Sequence, residues 1–151
     1  MITAKSLALV GMLGLTLATP TATAAPGKLH LIAVHQQERI VGKPHAARVG
    51  DEQLGSGILL DAQRRQVGSF GFTCVWTGVH PHYALEQCSG WGKLSGGQLI
   101  VAGMSRSDSS RHTWAIVGGT GDYRGAAGDL RLHDVAGGKT ILDLTVVSTA
   151  G

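Results

Sequence analysis

"VGGTGDYRGAAG", Val117 to Gly128, is the stretch on which the reading of the whole chain turns. It follows the apolar, strand-like "TWAIV" (Thr113–Val117) and holds Gly118, Gly119, Gly121, Gly125 and Gly128 within a dozen residues. A glycine-rich turn after a strand invites comparison with a dinucleotide-binding loop. That loop needs a helix directly behind it, with its N-terminus facing a pyrophosphate. Here Gly125 and Gly128 fall where the first helical turns belong, and each interior glycine costs about 1 kcal/mol relative to alanine in a helix. Beyond them "DLRLHDV" (Asp129–Val135) switches to two-residue alternation, with Leu130 and Leu132 between Asp129, Arg131 and His133. Asp143 lies at about the distance of a ribose-binding acid, yet it sits in a strand pattern with no crossover helix before it. The stretch therefore reads as strand–turn–strand. Gly118 to Gly121 supply the tight connection, Tyr123 packs over the bare backbone, and Gly125 and Gly128 let the next strand bend.

Working outward, the neighbours are of the same kind. "KLHLIAVHQQERIV" (28–41) reads as one long strand or two short ones. "GSGILLD" and "QVGSFGFTCVW" flank the polar "AQRR"; "QCSGWGKL" and "QLIVAGMS" flank "SGG". "RHTWAIV" and "KTILDLTVVS" complete about eight strands. No sustained helical stripe follows the N-terminal segment, and Gly makes up 23 of 151 residues with 15% charged, a composition that favours β structure. The expected class is all-β, one domain, either a meander closed into a barrel or a sandwich.

The N-terminus reads as a secretory signal peptide over residues 1–24. Lys5 precedes the apolar "SLALVGMLGLTLA", and Ala22-Thr23-Ala24 fits the small-residue cleavage pattern. The apolar core is shorter than the roughly 20 residues of a membrane-spanning helix. Cleavage leaves residues 25–151 as a single domain without a membrane span, secreted or otherwise extracytoplasmic. The formal charge of +3 drops to +2 when Lys5 is removed, and no basic run exceeds Arg64-Arg65, so nucleic acid is not an expected partner. Cys74 and Cys88 are the only cysteines; in an oxidising compartment such a pair reads as a disulfide, with free thiols as the alternative.

"VGGTGDYRGAAGDL" resembles the V-G-G-T-G-x-[FY]-x-x-A-x-G segment of the dirigent and allene oxide cyclase superfamily. "VGDEQLGSGILLDAQRRQVG" is similar to that family's glycine-rich strand, aspartate turn and "VG" restart, and "GKLSGGQLIVAGMS" to the hairpin before its glycine motif. The resemblance covers about Val49 to Val147, and the cysteine pair with "TGVHPHYALEQ" looks like exported bacterial members. It implies a single eight-stranded antiparallel β-barrel, apolar inside and open at one end. It also implies trimers, as in plant relatives, and no cofactor. Dirigent proteins orient phenoxy radicals and the cyclases close a fatty-acid allene oxide; both work by confining geometry. The first strand departs from both plant patterns, since Glu38 is its only acid and His30 and His35 stand where neither motif has histidine.

Candidate site residues follow from chemistry and parity. Asp143, Glu38 and Arg131 are the candidate catalytic groups; Asp143 shares a face with Ile141, Thr145 and Val147, which is either the barrel interior or the outer wall. Trp76, Trp91 and Trp114 with His112 are candidate ligand-binding residues, the indoles serving either a cavity wall or plain core. His80-Pro81-His82 has metal-ligand spacing, but a solvated loop tip accounts for it as well, and no metal is expected. The expected function is binding a small, mostly apolar or aromatic molecule and directing its cyclisation or stereoselective coupling. The alternative is a non-catalytic barrel for ligand binding or protein contact at the cell surface.

Overall fold

The computed structural model describes residues 27–42 and 48–148. The expected signal segment, residues 1–24, lies outside them. Eight strands follow in order: β1 (Gly27–Val41), β2 (Glu52–Leu60), β3 (Gln66–Val79), β4 (Ala84–Leu94), β5 (Gly97–Arg106), β6 (Arg111–Gly119), β7 (Ala126–Val135) and β8 (Lys139–Ser148). A 3-10 turn over Gly121–Tyr123 is the one helical element among the described residues. Every strand pairs antiparallel with its chain neighbours, and β1 pairs back onto β8, so the sheet closes. Closure runs from Gly27 opposite Val146 to Val34 opposite Lys139. The barrel, not the sandwich, is the architecture. The chain's first strand is one continuous element carrying a bulge between His35 and Gln37.

Closure turns two-residue alternation into an inside and an outside. On β1 the inward set holds Leu31 and Ala33, both buried. On β6 it holds Trp114 and Ile116, and on β8 Thr140, Leu144 and Val146. All of these except Thr140, a buried polar residue, meet in a single apolar cluster with Leu59, Phe70, Leu99, Val101 and Leu130. Because the strands simply alternate direction, the β1–β2, β3–β4, β5–β6 and β7–β8 connections share one end of the barrel, here the rim. Both described termini and the other three turns lie at the opposite end, the floor.

The glycine stretch closes the floor. Thr120 and Asp122 N–H groups donate to the Gln98 and Gly96 carbonyls, each at 2.8 Å, which ties the β6–β7 turn to the β4–β5 turn. Gly121 has φ +61°, and a Cβ there would lie 2.3 Å from the Gly96 carbonyl oxygen. Gly128 has φ +134°, and its Cβ would lie 2.0 Å from the Thr145 oxygen, so β7 and β8 approach at a distance no side chain permits. The motif is an architectural turn rather than an anion cradle. Cys74 and Cys88 form the expected disulfide between directly opposed residues of β3 and β4, with both side chains buried on the inward face.

Replacing Gly121 by Val forces a β-branched residue into left-handed backbone against a carbonyl. The expected cost is about 3 kcal/mol, or a fall of roughly 10 °C in melting temperature followed by circular dichroism. A fall below about 2 °C would show that the turn tolerates a side chain.

Candidate functional site

Inward glycines leave the barrel unfilled. A Cβ on Gly92 would meet only the Leu59 methyl, at 3.6 Å. Gly55 and Gly57 on β2 instead give their space to the rings of Phe72 and Phe70, which lie 2.2 Å and 2.9 Å from the Cβ positions those glycines lack. What remains is a cavity of about 320 Å³, at the small end of ligand pockets. Toward the floor it is walled by Leu31, Leu59, Phe70, Leu99 and Leu144; toward the rim by Glu38, Gln53, Glu86, Ser105, His112 and Asp134. An apolar molecule is thus held from below while polar groups meet it from above.

Glu86 is the buried acid of this site, 8% exposed on the inward face of β4. It is directly opposed by Trp76 on β3 and by Ser105 on β5. Burial pushes its pKa up from the ordinary 4.5; the Trp76 indole and the His112 charge pull against that shift without cancelling it. Trp76 Nε1 itself is buried without a partner at hydrogen-bonding geometry. A raised pKa widens the pH range over which such a carboxyl can serve as a hydrogen-bond donor and a general acid.

The other polar groups form a fixed frame. Trp114 Nε1–H donates to Ser105 Oγ at 3.1 Å. His112, its side chain only 12% exposed, has Nε2 4.0 Å from Asp134 Oδ2. Thr140 Oγ1 donates to Asp134 Oδ1 at 2.7 Å and lies 3.1 Å from His35 Nε2. The His35 ring stands edge-on to Phe70 and Phe72, with centroids 5.2 Å and 5.8 Å away.

The residues expected from sequence divide between inside and outside. Asp143 is on the outer wall, where its carboxylate pairs with His30 Nδ1 at 2.7 Å and its side chain is 60% exposed. Arg131, directly opposite Asp143 on β7, is exposed on the same wall. Neither is brought to the cavity, because the odd-numbered set of β8 and its partners on β7 face solvent. Glu38 stands at the rim, accepting a hydrogen bond from Gln53 Nε2. His112 and Trp114 line the cavity, and Trp76 is half-buried facing Glu86. Trp91 belongs to the opposite parity: its indole lies on the outside across Gly71, 42% exposed, although the residue also borders the cavity. His80 stacks on Tyr83 at 4.5 Å in the β3–β4 loop, with Arg106 over the same ring at 4.0 Å. His82 is exposed nearby, and neither histidine is joined by His30, His35 or His112. Cys74, Glu86 and Cys88 are the only close trio of ligand-type groups among the described residues, and its sulfurs are spent on the disulfide.

Glu86, Asp134 and Thr140 are site residues that the sequence does not single out, and His35 stands out there only as a departure from the plant motifs. Their signal is parity: Glu86 is two residues from inward Cys88, Asp134 two from Leu132, and Thr140 two from Leu142.

Residues 31–146 match the family model of the allene oxide cyclase barrel like domain. Among solved structures, a pyocyanin demethylase superimposes with a TM-score of 0.73 at 28% identity, covering 80% of this chain and 100% of that one. AbnU, an exo-specific intermolecular Diels-Alderase, gives 0.66 at 13% identity, covering 81% and 97%. The pterocarpan synthase dirigent protein GePTS1 gives 0.59 at 16% identity, covering 91% and 94%. These last two likenesses concern the fold alone. No curated protein matches the chain in sequence.

The raised Glu86 pKa has a signed consequence for stability. The folded protein holds this proton more tightly than the unfolded chain, so the group's contribution falls as pH rises from the ordinary 4.5 through the higher folded value, then levels off. Glu86→Gln removes that loss. In urea denaturation the variant gains on the parent as pH goes from about 4 to about 7. A difference between the two that does not change over this range contradicts the assignment.

Proposed function

Because the chain belongs to the allene oxide cyclase barrel like family, we propose that it takes a small, flat, mostly apolar molecule into the barrel. There it directs a proton-assisted rearrangement, either cyclisation or stereoselective coupling. The observation that carries this reading is the buried carboxyl of Glu86, its pKa raised by burial, facing a cavity of about 320 Å³ with an apolar floor. A barrel shut by its own Trp and Leu side chains would favour an interaction protein instead. The pyocyanin demethylase, at 28% identity over its full length, supports a fused aromatic ring system as the occupant.

In the mechanism the apolar floor binds the ring system and excludes water, which strengthens every polar contact at the rim. In its protonated form Glu86 lends its proton to a heteroatom of the bound molecule as negative charge develops there, and takes a proton back from the molecule as the product forms, so that the rearrangement is proton-neutral. Trp114 and Ser105 hold one wall rigid through their hydrogen bond. Confinement by Phe70, Leu99 and Leu144 selects which face of the ring system reacts.

The test is a titration with flat aromatics, pyocyanin and 1-naphthol among them, read by tryptophan fluorescence, followed by a search for conversion by liquid chromatography. The expected result is saturable one-to-one binding, kept in Glu86→Gln, with conversion slowed about 100-fold in that variant. Binding without conversion of any member favours the non-catalytic barrel. No binding at all removes the reading.

A further inference from the structure

We propose that the outer wall of the barrel carries a second binding site, a trough beside Trp91 that takes a neutral pyranose sugar. The barrel wall separates this site from the interior cavity, and it stands independently of the function proposed there. Strand register builds the trough from two outward-facing rows. One row runs Gln37, Ser56, Gly71, Trp91 and Ile100 across β1 to β5. The other runs Arg39, Leu54, Thr73 and Ser89 across β1 to β4. In the first row the small residues Ser56 and Gly71 stand in the middle, with larger ones on either side. An otherwise convex wall therefore gains a hollow of about 530 Å³. From β1 to β4 it spans three strand spacings, or about 14 Å, which is room for a sugar ring.

Trp91 supplies the platform. Gly71 lies directly opposite and has no side chain, so the indole settles against the sheet. A Cβ on Gly71 would stand 2.9 Å from the indole Cε2 and Cζ2 atoms. The residue is nevertheless 42% exposed, so a ligand reaches it from solvent without any opening of the barrel. Around it the polar groups are uncharged: the Ser56, Thr73 and Ser89 hydroxyls and the Gln37 amide, each able to donate and to accept. Among the described residues, no hydrogen bond occupies these four side chains. The ionisable residues at the trough are Arg39 and Glu38, and the Glu38 carboxylate already accepts from Gln53.

This set of groups selects among occupants. A sugar ring has an apolar C–H face that packs on an indole, and a rim of hydroxyls that both donate and accept. A hydrocarbon would strip water from the four uncharged polar side chains and return no hydrogen bond. A nucleic acid or an anionic lipid surface needs several cations, and Arg39 alone lines the trough. A peptide strand adds to a free sheet edge, and the closed barrel presents none.

The test titrates the whole protein with maltotetraose, cellotetraose and chitotetraose, followed through the indole N–H signals in nitrogen-15 NMR. The expected result is saturable binding of at least one of them with a Kd on the order of 1 mM, as suits a shallow open site, and with the Trp91 signal moving most. Trp91→Ala weakens that binding more than tenfold. Gly71→Ala, which keeps the indole but lifts it off the sheet, weakens it to a smaller extent. Signals unmoved by all three sugars in the parent protein overturn the inference, and so does binding that Trp91→Ala leaves intact. Sedimentation of the parent is the second arm, with no self-association through this face expected. Self-association that Trp91→Arg abolishes assigns the trough to a second copy of the chain and overturns the sugar site.

Discussion

The pairing of β1 with β8 is the constraint on which everything else here depends. Once Gly27–Val34 lies against Lys139–Val146, the sheet has no free edge and every strand residue is committed to the interior or the solvent. The commitment is strict, because a slip of one residue would exchange the two faces along the whole strand. It puts Thr140 and Leu144 inside while their neighbour Asp143 stands outside against His30. The glycine stretch serves the same closure, drawing β7 onto β8 at Gly128 and locking the floor turns at Gly121.

A closed eight-stranded barrel is only just wide enough to be filled by its own side chains. In this one, Gly90 and Gly92 on β4 face inward where larger residues would close the space, and the cavity is the result. Its two ends differ in kind. Leucine and phenylalanine at the floor bury an occupant's hydrocarbon, which stabilises by about 25 cal/mol for each Å² removed from water. The rim gathers Glu86, His112, Asp134, Thr140 and His35 in a medium where unpaired polar atoms are costly and paired ones strong. Few chemical groups are present, and the Asp134, Thr140 and His35 side chains are joined in one chain of contacts. Asp134 is the hub, receiving Thr140 at 2.7 Å and lying 4.0 Å from His112.

The architecture was legible in the sequence because it depends on backbone features that particular residues announce. Gly125 and Gly128 cannot sit in a helix start, and Leu130 and Leu132 alternate with charges, so a strand had to follow the turn. The cysteine pair was legible from its count and expected compartment, and the strand register sets the two residues directly opposite each other. The site was less so. Period-two patterns tell which residues share a face but not which face looks inward. Asp143 and Trp91 are conspicuous in sequence and carry their side chains on the outer wall, whereas Glu86 and Thr140 look ordinary and lie inside. Strand register settles the matter, and register needs partners more than 100 residues apart in sequence, as with His35 and Thr140. His112 and Trp114 were readable because Ile116 completes an unmistakably apolar set with them.

The central claim, that the barrel interior receives the ligand, is met most directly by a crystal structure grown with 1-naphthol. The account predicts the ring system inside the barrel, among Leu59, Phe70 and Leu144. A ring system found instead in the outer groove beside Trp91 and Ile100, with the interior unchanged, would contradict it.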